Sequence, residues 1–95
     1  MLIYLKDHIL EEIEGAMDYM SKAIEHKADS CGEKFYKMSG MEIEHASTLL
    51  KMFNAAEKPE KVTDAEYSAM QKAILDAYSD NMAKYTEMKK LYWSI

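Results

Sequence analysis

Arginine is missing from this chain: its twelve basic residues are all lysine, set against seventeen aspartates and glutamates for a formal net charge of −5. Lysine is a point charge without the planar fork that reads phosphates and bases, so nucleic acid is not expected as a partner, and the acidic balance suits cations instead. The single cysteine, Cys31, cannot close an internal disulfide and has no second cysteine at finger or redox-pair spacing, which excludes a zinc finger or a dithiol redox centre. There is no run of about 18 apolar residues to span a membrane, and Leu2-Ile3-Tyr4-Leu5 is too short for the core of a signal peptide, so the expected address is cytoplasmic. Glycine-rich phosphate loops, internal repeats and low-complexity segments are also lacking. What remains is one small domain, residues 1–95, with 48% apolar composition, in the size range where oligomerisation often supplies missing stability.

Hydrophobic periodicity predicts an all-α fold with helices over about residues 3–28, 31–56 and 64–94. In the first, Leu5, Ile9, Ile13, Ala16, Met20, Ala23 and Ile24 form one stripe, and Glu11, Glu14, Asp18, Lys22 and Glu25 cluster opposite. Ser30-Cys31-Gly32-Glu33 reads as a capping box for the second helix, and Thr63-Asp64-Ala65-Glu66 as one for the third. Between the second and third helices, Glu57-Lys58-Pro59-Glu60-Lys61 is a charged linker carrying the only proline. The third helix presents Tyr67, Met70, Ile74, Tyr78, Asn81, Tyr85, Met88 and Tyr92 inward, while Asp76, Asp80 and Glu87 project away. The nine methionines read as adaptable core filling.

Glu42-Ile43-Glu44-His45 interrupts this pattern. Turning about 100° per residue, Met38, Leu49, Met52, Phe53 and Ala56 fall in one sector of the second helix, with Glu42 and His45 inside it and Glu44, Ser47 and Lys51 outside. Packing alone does not ask for a carboxylate and an imidazole there, whereas a metal cation satisfies both. The turn near residue 29 makes the first two helices an antiparallel hairpin and places Glu12 level with His45; of the three neighbouring glutamates, Glu12 alone leans toward the apolar stripe. A carboxylate-bridged two-metal centre takes one glutamate from each of two helices and a Glu-x-x-His from each of the other two. This chain holds half of that set and the third helix adds no inward carboxylate. A second copy related by a two-fold axis would complete it.

The segment from Glu11 to Tyr19, followed by Glu42-Ile43-Glu44-His45 thirty residues after Glu12, resembles the ferritin-like superfamily, most closely the encapsulated ferritins, over about residues 8–53. The long third helix is similar, more weakly, to small ferritin-like proteins of phages and prophages. The resemblance implies a half-bundle that dimerises into a four-helix bundle, with Glu12, Glu42 and His45 as metal ligands. It also implies a di-iron centre shared between two chains, with manganese or zinc as other possible metals, and ferroxidase activity toward iron(II) with oxygen or peroxide as acceptor. Tyr19 would be the tyrosine near the centre, and Glu11 and Glu14 outer carboxylates associated with metal uptake. The final Lys89–Ile95 segment does not look like the family's shell-targeting tail, so an encapsulin shell is not expected as a partner.

Other readings of the same residues are plainer. Glu42 and His45 would also serve as a buried polar pair fixing helix register, Tyr19 as a boundary tyrosine, and Glu11 and Glu14 as a solvated face. His8 and His26, at the edge of the stripe, read as surface histidines. The rival to an iron protein is a non-enzymatic helical interaction module whose Glu/His cluster is structural or vestigial.

Overall fold

The first helix carries its apolar residues in a continuous stripe, and both other helices pack on it. The computed structural model describes residues 2–95, with side chains from Tyr4 onward. Leu2 and Ile3, half of the short apolar run at the start, therefore have side chains outside the described set. The elements are α1 (Leu2–Glu25), α2 (Ser30–Ala55) and α3 (Asp64–Ser94), with no strand among the described residues. Leu5, Ile9, Ile13, Ala16, Met20 and Ala23 of α1 are buried, and Glu11, Glu14, Asp18, Lys22 and Glu25 are exposed. No helix among the described residues is long and apolar enough to cross a membrane.

The core runs as two clusters along a rod of 53 × 18 × 14 Å. One joins Leu5, Ile9 and Ile13 to Ala46 and Phe53 of α2 and Ile74 of α3. The other joins Ala16, Met20 and Ala23 to Tyr85 and Tyr92. The α3 stripe is as expected: Ile74, Tyr85 and Tyr92 are buried, and Tyr67, Met70, Tyr78, Asn81 and Met88 are half-buried. Asn81 donates to Ala77 O at 2.8 Å, within its own helix. Between the clusters, Ser39 Oγ donates to Tyr36 O at 2.7 Å and lies 3.1 Å from Tyr85 OH. The serine proton is already used, so Tyr85 is the donor and both buried hydroxyls are satisfied.

Both ends of α3 are tied down. At its start, Thr63 and Glu66 form the expected capping box, and Tyr67 OH donates to Ala56 O at 2.7 Å, across the linker. At its end, Lys27 Nζ sits 3.7 Å from the Tyr92 ring centroid and 4.7 Å from that of Trp93, and it donates to Tyr92 O at 2.9 Å. Tyr36 stacks on Tyr92 at 4.6 Å between centroids and accepts from Trp93 Nε1 at 3.0 Å. A cation over two rings plus a charged hydrogen bond fastens the last turn of α3 to the hairpin end.

Three expectations need correction. First, α1 stops at Glu25 rather than near Ala28, because the chain tightens into the turn: Lys27 N bonds Ile24 O and Asp29 N bonds His26 O. Second, the N-cap of α2 is Asp29, not Ser30. Asp29 Oδ1 accepts from Cys31 N at 2.8 Å, and its other oxygen accepts from His26 Nδ1 at 2.9 Å. A carboxylate fixed on both oxygens is a stronger cap than a serine hydroxyl, and Ser30 becomes the first helical residue. Third, the buried line of α2 is Gly32, Ser39, Ala46 and Phe53; Met38, Met41 and Met52 are 39%, 54% and 49% exposed and fill no core. Small side chains let two helix backbones approach closely, so they form the seam and displace the larger methionines to its flank.

Gly32 is the tightest point of that seam. A Cβ there would overlap the carbonyl group of His26, so Gly32→Ala is expected to lower the melting temperature by several degrees despite alanine's better helix propensity. Asp29→Ala should also lower it while Ser30→Ala leaves it unchanged, as followed by circular dichroism; equal effects would return the cap to Ser30. The His26 imidazole and then the Cys31 N–H hold the Asp29 carboxyl below its ordinary value of 3.8. Its contribution is therefore present above that pH and lost as the pH falls through the depressed value.

Candidate metal centre

Glu12 lies midway along α1, and Glu42 and His45 lie three residues apart on one face of α2. The antiparallel register brings them together: a ligand atom from each lies within 4.8 Å of those of the other two. His45 Nδ1 is 3.7 Å from Glu12 Oε2, too long for a hydrogen bond and within range of an ion pair. The Glu12 side chain is 23% exposed and that of His45 59%, so the cluster sits at the rim of the hairpin rather than in its core. A buried register-fixing pair is thereby ruled out as the reason for His45.

The two carboxyls oppose each other electrostatically. Glu42 is held above its ordinary value of 4.5, first by a hydrogen bond to Glu12 that only a protonated acid can make, then by partial burial and the Glu12 charge, with His45 pulling the other way. The folded chain therefore keeps a proton that the unfolded chain has released, and stability falls as the pH rises from the ordinary value through the raised one.

A divalent cation fits this donor set. Two carboxylates and one imidazole form the mixed oxygen and nitrogen environment that iron, manganese and zinc accept, and a cation replaces the proton that the carboxyls otherwise share. The backbone makes room for the Glu42 carboxylate. Gly15 lies directly over Glu42, and a Cβ at that position would come within 3.0 Å of Glu42 Oε2. One ion bound by three protein atoms still has open positions.

The cluster faces away from α3. Glu12, with Tyr4, His8, Gly15 and Tyr19, lies on the side of α1 opposite Met17 and Ile24, which pack toward the cores; Glu42 and His45 share their side of α2 with the exposed Met38, Met41 and Met52. Tyr4 is 57% exposed, so the donors stand within an apolar face that α3 leaves uncovered. The other expected site residues are more distant. Tyr19 is two turns along α1 from Glu12 and stacks on Phe35 with centroids 6.4 Å apart. Glu11 and Glu14 are exposed, and Glu11 Oε2 lies 3.9 Å from His8 Nδ1.

His8 is the residue that the sequence reading set aside. It lines a groove of about 290 Å³ together with Tyr4, Glu12, His45, Thr48 and Leu49. The available signal was His8-x-x-x-Glu12, a spacing that puts both side chains on one helix face.

No protein-family model, curated protein or solved structure matches the chain.

Replacing Glu42 by glutamine keeps a donor toward Glu12 and removes the repulsion. Glu42→Gln is therefore expected to raise the metal-free melting temperature at neutral pH by several degrees and to abolish the extra stability gained on mild acidification, both read by thermal denaturation across pH. A lower melting temperature would mean that the carboxylates are satisfied as ions.

Proposed function

We propose that this chain is a ferritin-like half-bundle that binds iron, and that two copies pair about a two-fold axis into a four-helix bundle, each donating Glu12, Glu42 and His45 to a shared two-metal centre with ferroxidase activity. The observation carrying this reading is the convergence of two carboxylates and an imidazole at the rim of an uncovered apolar face. One chain offers half the donors of a carboxylate-bridged centre, and the methionines and Tyr4 around them are the kind of surface a second hairpin would bury.

In this reading Glu42, which lies against Gly15, would give up its proton to a cation and, with Glu12 and a neutral His45, would hold the pair of ions. Iron(II) as substrate would give up one electron per ion at the open positions, two ions reducing one molecule of oxygen or peroxide by two electrons. The exposed Glu11 and Glu14 would raise the local concentration of cations around the face.

A second reading is favoured by one observation: the polar atoms of Glu12, Glu42 and His45 lie within 4.8 Å of one another at a partly solvated rim, where water, a proton and the imidazole can satisfy them with no metal. On that reading the chain is a helical interaction module with a structural cluster. Metal analysis and light scattering on protein purified without chelators separate the two. A dimer carrying about one iron, manganese or zinc per chain is expected; a metal-free monomer that takes up no iron(II) would overturn the proposal.

Substitutions sharpen the test. Glu42→Ala and His45→Ala should each remove most metal binding, while Glu44→Ala should not, because Glu44 points about 100° away from His45 and is exposed. Gly15→Ala should raise metal-free stability through helix propensity and weaken metal binding by about tenfold, since Glu42 can yield to the new methyl only when no ion holds it. Equal losses from Glu42, Glu44 and His45 would contradict the face assignment.

A further inference from the structure

The groove that opens from Glu12 and His45 toward His8 brings a further imidazole to the same face. His8 and Glu12 are four residues apart on α1, so their Cβ atoms lie about 5–6 Å from each other on one face, a spacing at which two helical side chains can grip one ion. The His8 ring is positioned from two directions: it packs on Tyr4 with centroids 4.1 Å apart at 36°, and its Nδ1 faces Glu11 Oε2 at 3.9 Å. At that distance the Glu11 carboxylate makes no hydrogen bond to the ring and acts on it through its charge alone, which favours a cation beside His8. The groove itself, of about 290 Å³, is lined by no lysine and has room for a cation with its remaining waters.

We propose that this groove is a second divalent-cation site, with His8 as its outer ligand and Glu12 shared between it and the Glu12–Glu42–His45 cluster. A carboxylate has about four lone-pair positions on two oxygens, so Glu12 can serve ions on both sides. With one imidazole, one shared carboxylate and Glu11 behind the ring, the site suits borderline cations such as zinc(II), cobalt(II) or iron(II) and binds them more weakly than the three-donor cluster does. The proposal rests on the metal-binding reading of that cluster only through Glu12, and it does not depend on the dimer.

The test is a zinc(II) titration of the full chain by calorimetry, with the histidine ring nitrogens followed by NMR, for the unmodified protein, His8→Ala and Glu42→Ala, since Glu42 belongs to the cluster but does not line the groove. The unmodified protein is expected to show two classes of site at least about tenfold apart in affinity. His8→Ala should lose the weaker class alone. Glu42→Ala should lose the tighter class and retain the weaker one, with a His8 ring-nitrogen resonance shifting on zinc addition. If the His8 ring nitrogens stay unmoved at saturating zinc in both the unmodified protein and Glu42→Ala, the groove site is wrong while the cluster can still stand. If Glu42→Ala leaves the tighter class intact, the cluster reading fails instead, whatever His8 does.

Discussion

The register of the α1–α2 hairpin is the constraint on which the rest of this molecule depends. The connecting turn leaves little slack: Asp29 caps α2 and accepts from His26 on its other oxygen, and Gly32 rests against the His26 carbonyl. Shifting α2 by one residue would turn every side chain by about 100° and move it about 1.5 Å along the axis. Glu42 would leave its place over Gly15, His45 would no longer face Glu12, and the seam would present Met38, His45 and Met52 to α1, or in the other direction Glu33, Ser47 and Asn54. A turn residue some fifteen positions away in sequence therefore determines whether the three candidate ligands meet.

Given that register, α3 divides the hairpin into two faces with different uses. On one side it buries the apolar stripe of α1 and is held by Tyr67 at one end, the Ser39–Tyr85 pair in the middle, and the Lys27, Tyr36, Tyr92 and Trp93 group at the other. Aromatic stacking and a part-buried cation give this side specific geometry as well as buried area. On the other side Met38, Met41, Met52 and Tyr4 stay exposed among the described residues. Stability is concentrated on the face that α3 occupies, and every candidate ligand lies on the face that it does not.

The cost at the open face is electrostatic. Two carboxyls close enough to share a proton oppose the fold at neutral pH, and His45 offsets the Glu12 and Glu42 charges only in part because it is largely solvated. Gly15 adds to that cost, since a helix interior favours alanine at this position. Both features are unfavourable for an isolated hairpin and both make sense where a cation is to be held, the usual sign of stability yielded to a site.

Local periodicity in the sequence already determined much of this. The α1 and α3 stripes, the Thr63–Glu66 capping box, the antiparallel hairpin and the inward lean of Glu12 all follow from interactions within a turn or two of helix or from the length of one connection. The α2 face was less legible. Ranking positions by apolar size pointed to Met38 and Met52, whereas close approach of two backbones selects Gly32, Ser39 and Ala46, a choice that exists only once a partner helix is present. Asp29 displaced Ser30 as the cap because His26, folded back by the turn, fixed its second oxygen. His8 became part of the site neighbourhood only when α2 supplied the opposite wall of its groove. Which side of the hairpin α3 covers, and so which side stays open, is a tertiary decision, because it depends on the fit of three surfaces and no single helix carries that information.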